Sequence, residues 1–150
     1  MNQQSNLLIW DKKFELGIPA IDAQHEHLVE LCNNLYQSII RQKDAGAEGW
    51  QVALSEALRE TAGYIVIHFR DEEKLLKAAG YANFAPHRQR HQEFIAKTTE
   101  TITNFDKATF QTAFDFVKFL YDWILRHIAY EDKLYVKTVL EFSRQRAAQG

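Results

Sequence analysis

The chain has 150 residues and a formal net charge of −2, and hydrophobic residues make up 46% of it, which is enough for one domain with an apolar core and excludes a disordered chain. It has no basic cluster typical of a nucleic-acid partner and no apolar run long enough to predict a membrane span. A single cysteine and an N-terminus unlike a signal peptide predict a cytoplasmic protein without internal disulfides.

The N-terminal part of the chain predicts an arm followed by a long helix. Residues 1–20 are predicted to form an extended arm across the domain, because their apolar residues lack a helical period and a glycine and a proline interrupt them. Helix A is predicted over residues 22–42, with Asp22 as its N-cap and core-facing residues spaced by three and four. The polar, glycine-containing segment 43–49 is the first predicted connection.

Two further helices are predicted in the middle of the chain. Helix B covers residues 50–78 and helix C residues 86–104, each with an inward stripe at helical spacing. The turn Gly80–Ala85 separates them, because glycine commonly ends helices. Pro86 is acceptable early in helix C, where a missing N–H costs nothing.

The last part of the chain completes an all-α fold. Helix D is predicted to begin near Thr109, and a short C-terminal helix after Asp132 is predicted to pack on the others. Long helices with short connections must lie antiparallel, which predicts an up-down-up-down four-helix bundle. The whole chain is interpreted as one domain, with an arm (1–20), the bundle (21–142) and a tail (143–150).

The candidate functional residues are polar side chains on the core-facing stripes. Burying an unpaired polar side chain costs roughly 2–7 kcal/mol, against about 5–15 kcal/mol of net stability for a domain. One inward histidine is usually a hydrogen-bonded core residue, but so many together favour a metal, since imidazoles and carboxylates are common ligands. His27 lies off its stripe, whereas the inward set is His25, His68, Glu72, His87, His91 and His127.

The spacing of these residues supports a site with more than one ion. His68 and Glu72 are four residues apart, as are His87 and His91, so each pair stacks on one helical face. Five nitrogens and at least one carboxylate exceed the needs of a tetrahedral zinc ion. The donor set therefore predicts a dinuclear centre.

Other metal-binding helical classes fit the residues less well. Ferritin-like proteins need Glu-x-x-His on two helices, and this chain has no such motif. A zincin would need a histidine where Val29 stands. A haem bundle would leave at least three histidines unexplained, and Cys32 is interpreted as a small core residue.

The ordered set of motifs resembles the hemerythrin family, and in particular its single-domain bacterial members. The resemblance extends from about Trp10 to Leu140 and includes the Gly80-Tyr81-Ala82 turn. The motifs are Asp22-x-Gln24-His25, His68-Phe69-x-x-Glu72-Glu73, His87-x-x-x-His91 and His127-x-x-x-x-Asp132.

This resemblance implies a non-haem centre of two iron ions, Fe²⁺ or Fe³⁺, joined by an oxo or hydroxo bridge. The implied ligands are His25 and His68 on one ion, His87, His91 and His127 on the other, and Glu72 and Asp132 bridging both. The ion with two histidines is then one ligand short. The family binds dioxygen at that place as a hydroperoxide.

The resemblance also implies an apolar pocket around the place where oxygen binds. Five residues within one helical step of the ligands are its candidate walls, although each is equally well explained as ordinary core. A dry pocket would protect the iron from irreversible oxidation. The candidates are Leu28, Phe69, Trp123, Ile124 and Ile128.

Helical spacing and the family motif disagree about the last ligand. Spacing of four from His127 indicates Glu131, whereas the motif indicates Asp132, which would lie about 140° from His127 around an ideal helix. Following the motif, we predict that helix D is distorted around residues 128–132, for example by a π-type turn. Glu131 and Glu73 are then expected to face solvent.

The resemblance implies reversible dioxygen binding, as a carrier or store, rather than enzymatic turnover. Two other functions remain open at this point: a sensor of oxygen, nitric oxide or redox state, and a weak di-iron peroxidase or oxidase. Dioxygen is the expected partner, and a client oxygenase or oxidase is a candidate recipient.

Overall fold

The computed structural model describes residues 6–45 and 49–149, which form an antiparallel four-helix bundle without a strand in that part of the chain. The predicted all-α bundle is confirmed, with helices α1 (Pro19–Ala45), α2 (Gly49–Ala78), α3 (Phe84–Thr103), α4 (Phe110–Trp123) and α5 (Val136–Gln149). Helix α4 continues into a π-helical segment, Ile124–Glu131, and a 3₁₀ turn, Asp132–Tyr135. Helix α1 packs on α2, α2 on α3, and α4 on both α1 and α2.

The first helix starts earlier than predicted. It begins at Pro19, a residue whose fixed φ suits the first turn, so Asp22 is not the N-cap. The Asp22 carboxylate instead accepts hydrogen bonds from the backbone N–H groups of Leu16 (2.8 Å) and Gly17 (3.1 Å). Gly17 has a φ of 78°, a left-handed conformation that favours glycine. These bonds attach the arm to the helix.

The N-terminal arm packs against the bundle, as predicted, but it is not extended. Backbone hydrogen bonds from Phe14 to Asp11 and from Glu15 to Lys12 form a turn, and the Phe14 side chain is completely buried. Nearer the terminus, the Leu8 N–H donates to the side chain of Asn33, whose amide donates back to the Leu8 carbonyl.

The connections differ from the predictions by a few residues. Helix α1 continues to Ala45 and α2 begins at Gly49, so the centre of the predicted connection, 46–48, lies outside the described residues. Gly80 follows α2 with a φ of 69°, and the Tyr81 N–H donates to the Leu76 carbonyl, a frequent helix ending. Helix α4 begins after Thr109, whose hydroxyl accepts from the Thr112 N–H.

The core has two apolar clusters on either side of a polar layer. The larger cluster contains Leu28, Phe69 and Ile128, and the smaller contains Leu76 and Tyr135. Along each helix the candidate ligands fall between residues of these clusters, which places them at one level of the bundle.

The C-terminal part of the chain is more helical than predicted. Helix α5 continues through residues 143–149 of the predicted tail to Gln149, and Val139 anchors this helix in the core. In the described part of the chain, no helix combines the length and apolar character that crossing a membrane requires.

Candidate metal centre

The structure brings all seven candidate ligands together inside the bundle. None of them is more than 5% exposed, and their ring nitrogens and carboxylate oxygens point at one another. His27, the histidine predicted to lie off the core, is exposed at the surface. Helix α1 supplies His25, α2 supplies His68 and Glu72, α3 supplies His87 and His91, and the helix after α4 supplies His127 and Asp132.

A wide helical turn brings Asp132 into the site. The Asp132 N–H donates to the carbonyl of His127, five residues earlier, at the end of the π-helical segment Ile124–Glu131. The extra residue in the turn places Asp132, rather than Glu131, beside the inward-facing His127. The predicted π-type distortion of helix D is therefore confirmed.

One group of donors contains three histidines. Glu72 Oε1 lies 2.7 Å from His87 Nε2 and 3.2 Å from His91 Nε2. Asp132 Oδ1 lies 3.2 Å from His87 Nε2 and 3.0 Å from His127 Nε2. The His91 and His127 Nε2 atoms are 3.1 Å apart. We call these five donors the three-histidine position.

The other group contains two histidines and the second oxygen of each carboxylate. Glu72 Oε2 lies 3.1 Å from His68 Nε2 and 3.4 Å from His25 Nε2. Asp132 Oδ2 lies 3.1 Å from His25 Nε2, and the two imidazole Nε2 atoms are 3.1 Å apart. This two-histidine position has four donors, one fewer than its neighbour, and the two carboxylates belong to both.

The distances between donors suit two metal ions. Adjacent donors about 2.1 Å from an octahedral ion lie about 3.0 Å from each other, and the observed separations run from 2.7 to 3.4 Å. In addition, neither Asp132 oxygen accepts a well-directed hydrogen bond from the described residues, although both are buried and lie 3.0 to 3.2 Å from imidazole nitrogens. A buried carboxylate without hydrogen bonds is costly unless a cation is close to it.

The pKa directions show strong coupling between the imidazoles and the carboxylates. Burial alone lowers the pKa of His25, but contacts with Asp132 and Glu72 outweigh burial and raise it to about 9. The same balance raises the pKa of His87 to about 10. Burial raises the pKa of Glu72, yet His68 and the hydrogen-bonding histidines hold it well below its usual range. A metal ion would have to displace protons held between these groups.

The sequence-based prediction was wrong about two carboxylates that lie next to the outer nitrogens of the imidazoles. Glu73 and Glu131, expected to face solvent, instead lie behind ligands: Glu73 Oε2 is 2.8 Å from His91 Nδ1, and Glu131 Oε2 is 3.3 Å from His127 Nδ1. A charged group next to an imidazole N–H recovers part of its solvation there, so these carboxylates turn inward. The spacing of four from His127 that indicated Glu131 was the signal for this contact.

The five candidate wall residues all pack in the larger apolar cluster. Four of them are buried, and Trp123 is half-buried. The Phe69 ring stacks on His91 at 3.9 Å between centroids, and Trp123 stacks on His127 at 4.0 Å. These rings cover one face of two imidazoles of the three-histidine position. The remaining members are Leu28, Ile124 and Ile128.

Sequence reasoning also missed three polar residues next to the ligands. The amide oxygen of Gln24 lies 2.6 Å from His68 Nδ1. The Tyr135 hydroxyl donates to Glu72 Oε2 at 3.3 Å. The Tyr64 ring stacks on His68 at 4.8 Å. Tyr64 is four residues before His68, so its inward position was detectable from the helical spacing.

Together, the bundle and its buried donors define a helical cation-binding domain. The Hemerythrin HHE cation binding domain matches residues 16–139. The chain belongs to the hemerythrin family.

Relatives in the family are similar over most of their length. A bacteriohemerythrin from Stenotrophomonas maltophilia is 29% identical, covering 96% of this chain and 92% of the relative. A bacteriohemerythrin from Pseudomonas aeruginosa is 31% identical, over 88% of this chain and 81% of the relative. The crystal structure of a wild-type hemerythrin covers 89% of this chain and 98% of its own, with a TM-score of 0.68 and 24% identity. This structural similarity supports the four-helix bundle fold.

Proposed function

We propose that this chain holds two iron ions and binds dioxygen reversibly. One observation carries the proposal: seven buried donors form two adjacent sets that share Glu72 and Asp132, and one set has a donor fewer. Imidazole and carboxylate donors in sets of four and five suit iron better than tetrahedral zinc. When bound, the two ferrous ions would supply one electron each for reversible binding of dioxygen.

The seven residues would have different roles in binding the two ions. Glu72 and Asp132 would fix the distance between the two cations, because each carboxylate presents one oxygen to each position. His87, His91 and His127 would complete the three-histidine position. His25 and His68 would hold the other ion and leave one coordination place for an exogenous ligand.

The apolar residues around the donors would exclude water from that place. Leu28, Ile124 and Ile128 are completely buried, whereas the rings of Phe69 and Trp123 cover imidazoles of the three-histidine position. A dry surrounding slows hydrolytic and oxidative side reactions. An oxygen carrier needs this protection more than an oxidase does, and on this basis we infer a binding protein rather than an enzyme, with a client oxygenase or oxidase as a candidate recipient.

The experiment is anaerobic reconstitution with ferrous iron, followed by iron counting and absorption spectroscopy while oxygen is admitted and withdrawn. We expect two iron ions per chain and an oxygenated spectrum that disappears on deoxygenation over repeated cycles. One iron per chain would contradict the proposal. Continuous oxygen consumption would indicate an oxidase, and a change in binding to another protein on oxygenation would indicate a sensor.

A pair of histidine variants tests the assignment of the ligands. His87→Ala is expected to lower iron retention and abolish the oxygenated spectrum, because it removes a donor from the three-histidine position. His27→Ala is the matched control, since His27 is an exposed histidine two residues after His25. Equal effects of both substitutions would contradict the assignment.

A further inference from the structure

Tyr64 is a buried phenol that is neither a candidate metal ligand nor one of the five wall residues. Its side chain is 6% exposed, and its hydroxyl has no hydrogen-bond partner within residues 6–45 and 49–149. The ring lies nearly parallel to the His68 imidazole, at 4.8 Å between centroids and 19° between planes, and it meets the Phe69 ring edge-on at 6.4 Å. The phenol is therefore part of the surroundings of the two-histidine position.

Tyr135 offers a direct contrast. It is also buried and close to the ligands, but its hydroxyl donates to Glu72 Oε2 at 3.3 Å. A buried hydroxyl without a partner destabilises a protein, because it loses water and gains no bond in return. A phenylalanine at position 64 would avoid that cost. The Tyr64 hydroxyl is therefore available to a partner outside the described chain.

The Tyr64 hydroxyl is suited to donate a hydrogen bond. A phenol with an ordinary pKa of about 10 keeps its proton at neutral pH and can donate it in a hydrogen bond. The Tyr64 ring stacks on His68, whose Nε2 lies 3.1 Å from both Glu72 Oε2 and His25 Nε2, so the phenol lies beside the two-histidine position.

The ring of Tyr64 also borders a groove that reaches the ligand His68. A groove of about 460 Å³ between α1 and α2 is bordered by Gln24 and His27, with Tyr64 and His68 among its lining residues. Replacing Tyr64 by phenylalanine would keep this wall and remove only the hydroxyl.

We propose that Tyr64 donates a hydrogen bond to the small exogenous ligand at the two-histidine position, a diatomic oxygen molecule or a small anion with a free lone pair. This inference rests on the proposed function, because it requires an ion held by His25 and His68. The hydrogen bond stabilises the ligand as negative charge accumulates on it. Tyr64 is thus a ligand-positioning residue, separate from the iron ligands.

The test compares azide binding by the oxidised, iron-loaded protein and its Tyr64→Phe variant. Azide is a small anion whose outer nitrogen accepts hydrogen bonds, and its adduct is followed by absorption. We expect Tyr64→Phe to keep two iron ions per chain and to weaken azide binding roughly 10- to 100-fold, the range for a hydrogen bond to a charged group. Azide affinity within about twofold of the unmodified protein, at full iron content, would overturn the inference.

Two other tyrosine variants make the result specific. Tyr36→Phe is the control for a hydroxyl far from the ligands, roughly 16 Å along α1 from His25, and its azide affinity should equal that of the unmodified protein. Tyr135→Phe removes the donor to Glu72 and should lower iron retention, which Tyr64→Phe should not do. Equal losses of azide affinity in Tyr36→Phe and Tyr64→Phe would also overturn the inference.

Thermal unfolding of the metal-free protein distinguishes a ligand-binding role of the Tyr64 hydroxyl from a structural role. Metal-free Tyr64→Phe should melt at the same temperature as the unmodified protein or higher, because the hydroxyl has no partner to lose. A clearly lower melting temperature would assign Tyr64 to stability and contradict the inference. If the unmodified protein fails to hold two iron ions, the proposed function fails and the inference fails with it. If it holds them, the variants test the inference alone.

Discussion

The two positions of the candidate centre differ most in what lies behind their imidazoles. At the three-histidine position, the carboxylates of Glu73 and Glu131 lie 2.8 and 3.3 Å from the outer nitrogens of His91 and His127. At the two-histidine position, His68 faces the neutral amide oxygen of Gln24 at 2.6 Å. Neither His25 Nδ1 nor His127 Nδ1 has a hydrogen-bond partner among the described residues, but Glu131 lies within ion-pair distance of His127 Nδ1.

This difference indicates separate roles for the two positions. An anionic group behind an imidazole makes the inner nitrogen a stronger donor to a metal ion. The three-histidine position, with five donors and two such groups, would hold an ion more tightly. The two-histidine position has fewer donors, and the group next to His68 Nδ1 is a neutral amide, so an ion there would be freer to accept an exogenous ligand.

The largest expected effect is on the number of ions held. His25→Ala reduces the two-histidine position to one nitrogen and two carboxylate oxygens but leaves all five donors of the other position. Iron per chain should fall from two to about one, measured by a colorimetric assay after anaerobic loading and removal of free iron.

Two outcomes would contradict this division. Full retention of both ions in His25→Ala would show that His25 is not needed, and loss of both would show that the positions are not separable. Thermal unfolding of the metal-free variant establishes that it is folded before the iron is counted.

The next effect concerns the carboxylates behind the imidazoles. Glu73→Gln keeps a hydrogen-bond acceptor beside His91 but removes its charge. Iron affinity should fall roughly 10- to 100-fold, the usual range for groups that support a metal ligand, measured by competition with a chelator.

Matched substitutions test whether the negative charge of Glu73 is what strengthens iron binding. Glu93→Gln is the control, because Glu93 is an exposed carboxylate on α3, two residues after His91, and is paired with Arg90 at 3.2 Å. Glu73→Ala should weaken iron binding at least as much as Glu73→Gln. An unchanged iron affinity in Glu73→Gln would show that the contact with His91 does not tune the centre.

These supporting groups mark the limit of what the sequence predicted. The bundle was predictable because apolar and polar residues alternate at helical spacing along each segment. The ordered motifs named the seven residues that the structure brings together. The distortion that admits Asp132 followed from the conflict between its spacing and that of Glu131.

Other contacts were not predictable from helical stripes alone. Glu73 and Glu131 lie at the border of the buried face, where a glutamate usually turns to solvent. Only the position of the neighbouring helix decides that Glu73 on α2 reaches His91 on α3. Similarly, Asp22 was predicted as an N-cap, and its real partners are backbone groups of the arm, whose path has no periodic signal.

The smallest effect on iron affinity is expected for Arg88, which contacts Glu73 and none of the candidate ligands. Arg88 Nε lies 3.5 Å from Glu73 Oε1, so this arginine is the outermost member of a chain that runs through Glu73 to His91. Because the Arg88 side chain is more than half exposed, water and salt screen the pair, and such contacts contribute about 0–1 kcal/mol. Arg88→Ala should change iron affinity less than about threefold, and salt should reduce even that effect. A loss of iron affinity as large as that of Glu73→Gln would mean that Arg88 holds the Glu73 carboxylate in place. Residues at the protein surface would then contribute to iron binding at the three-histidine position.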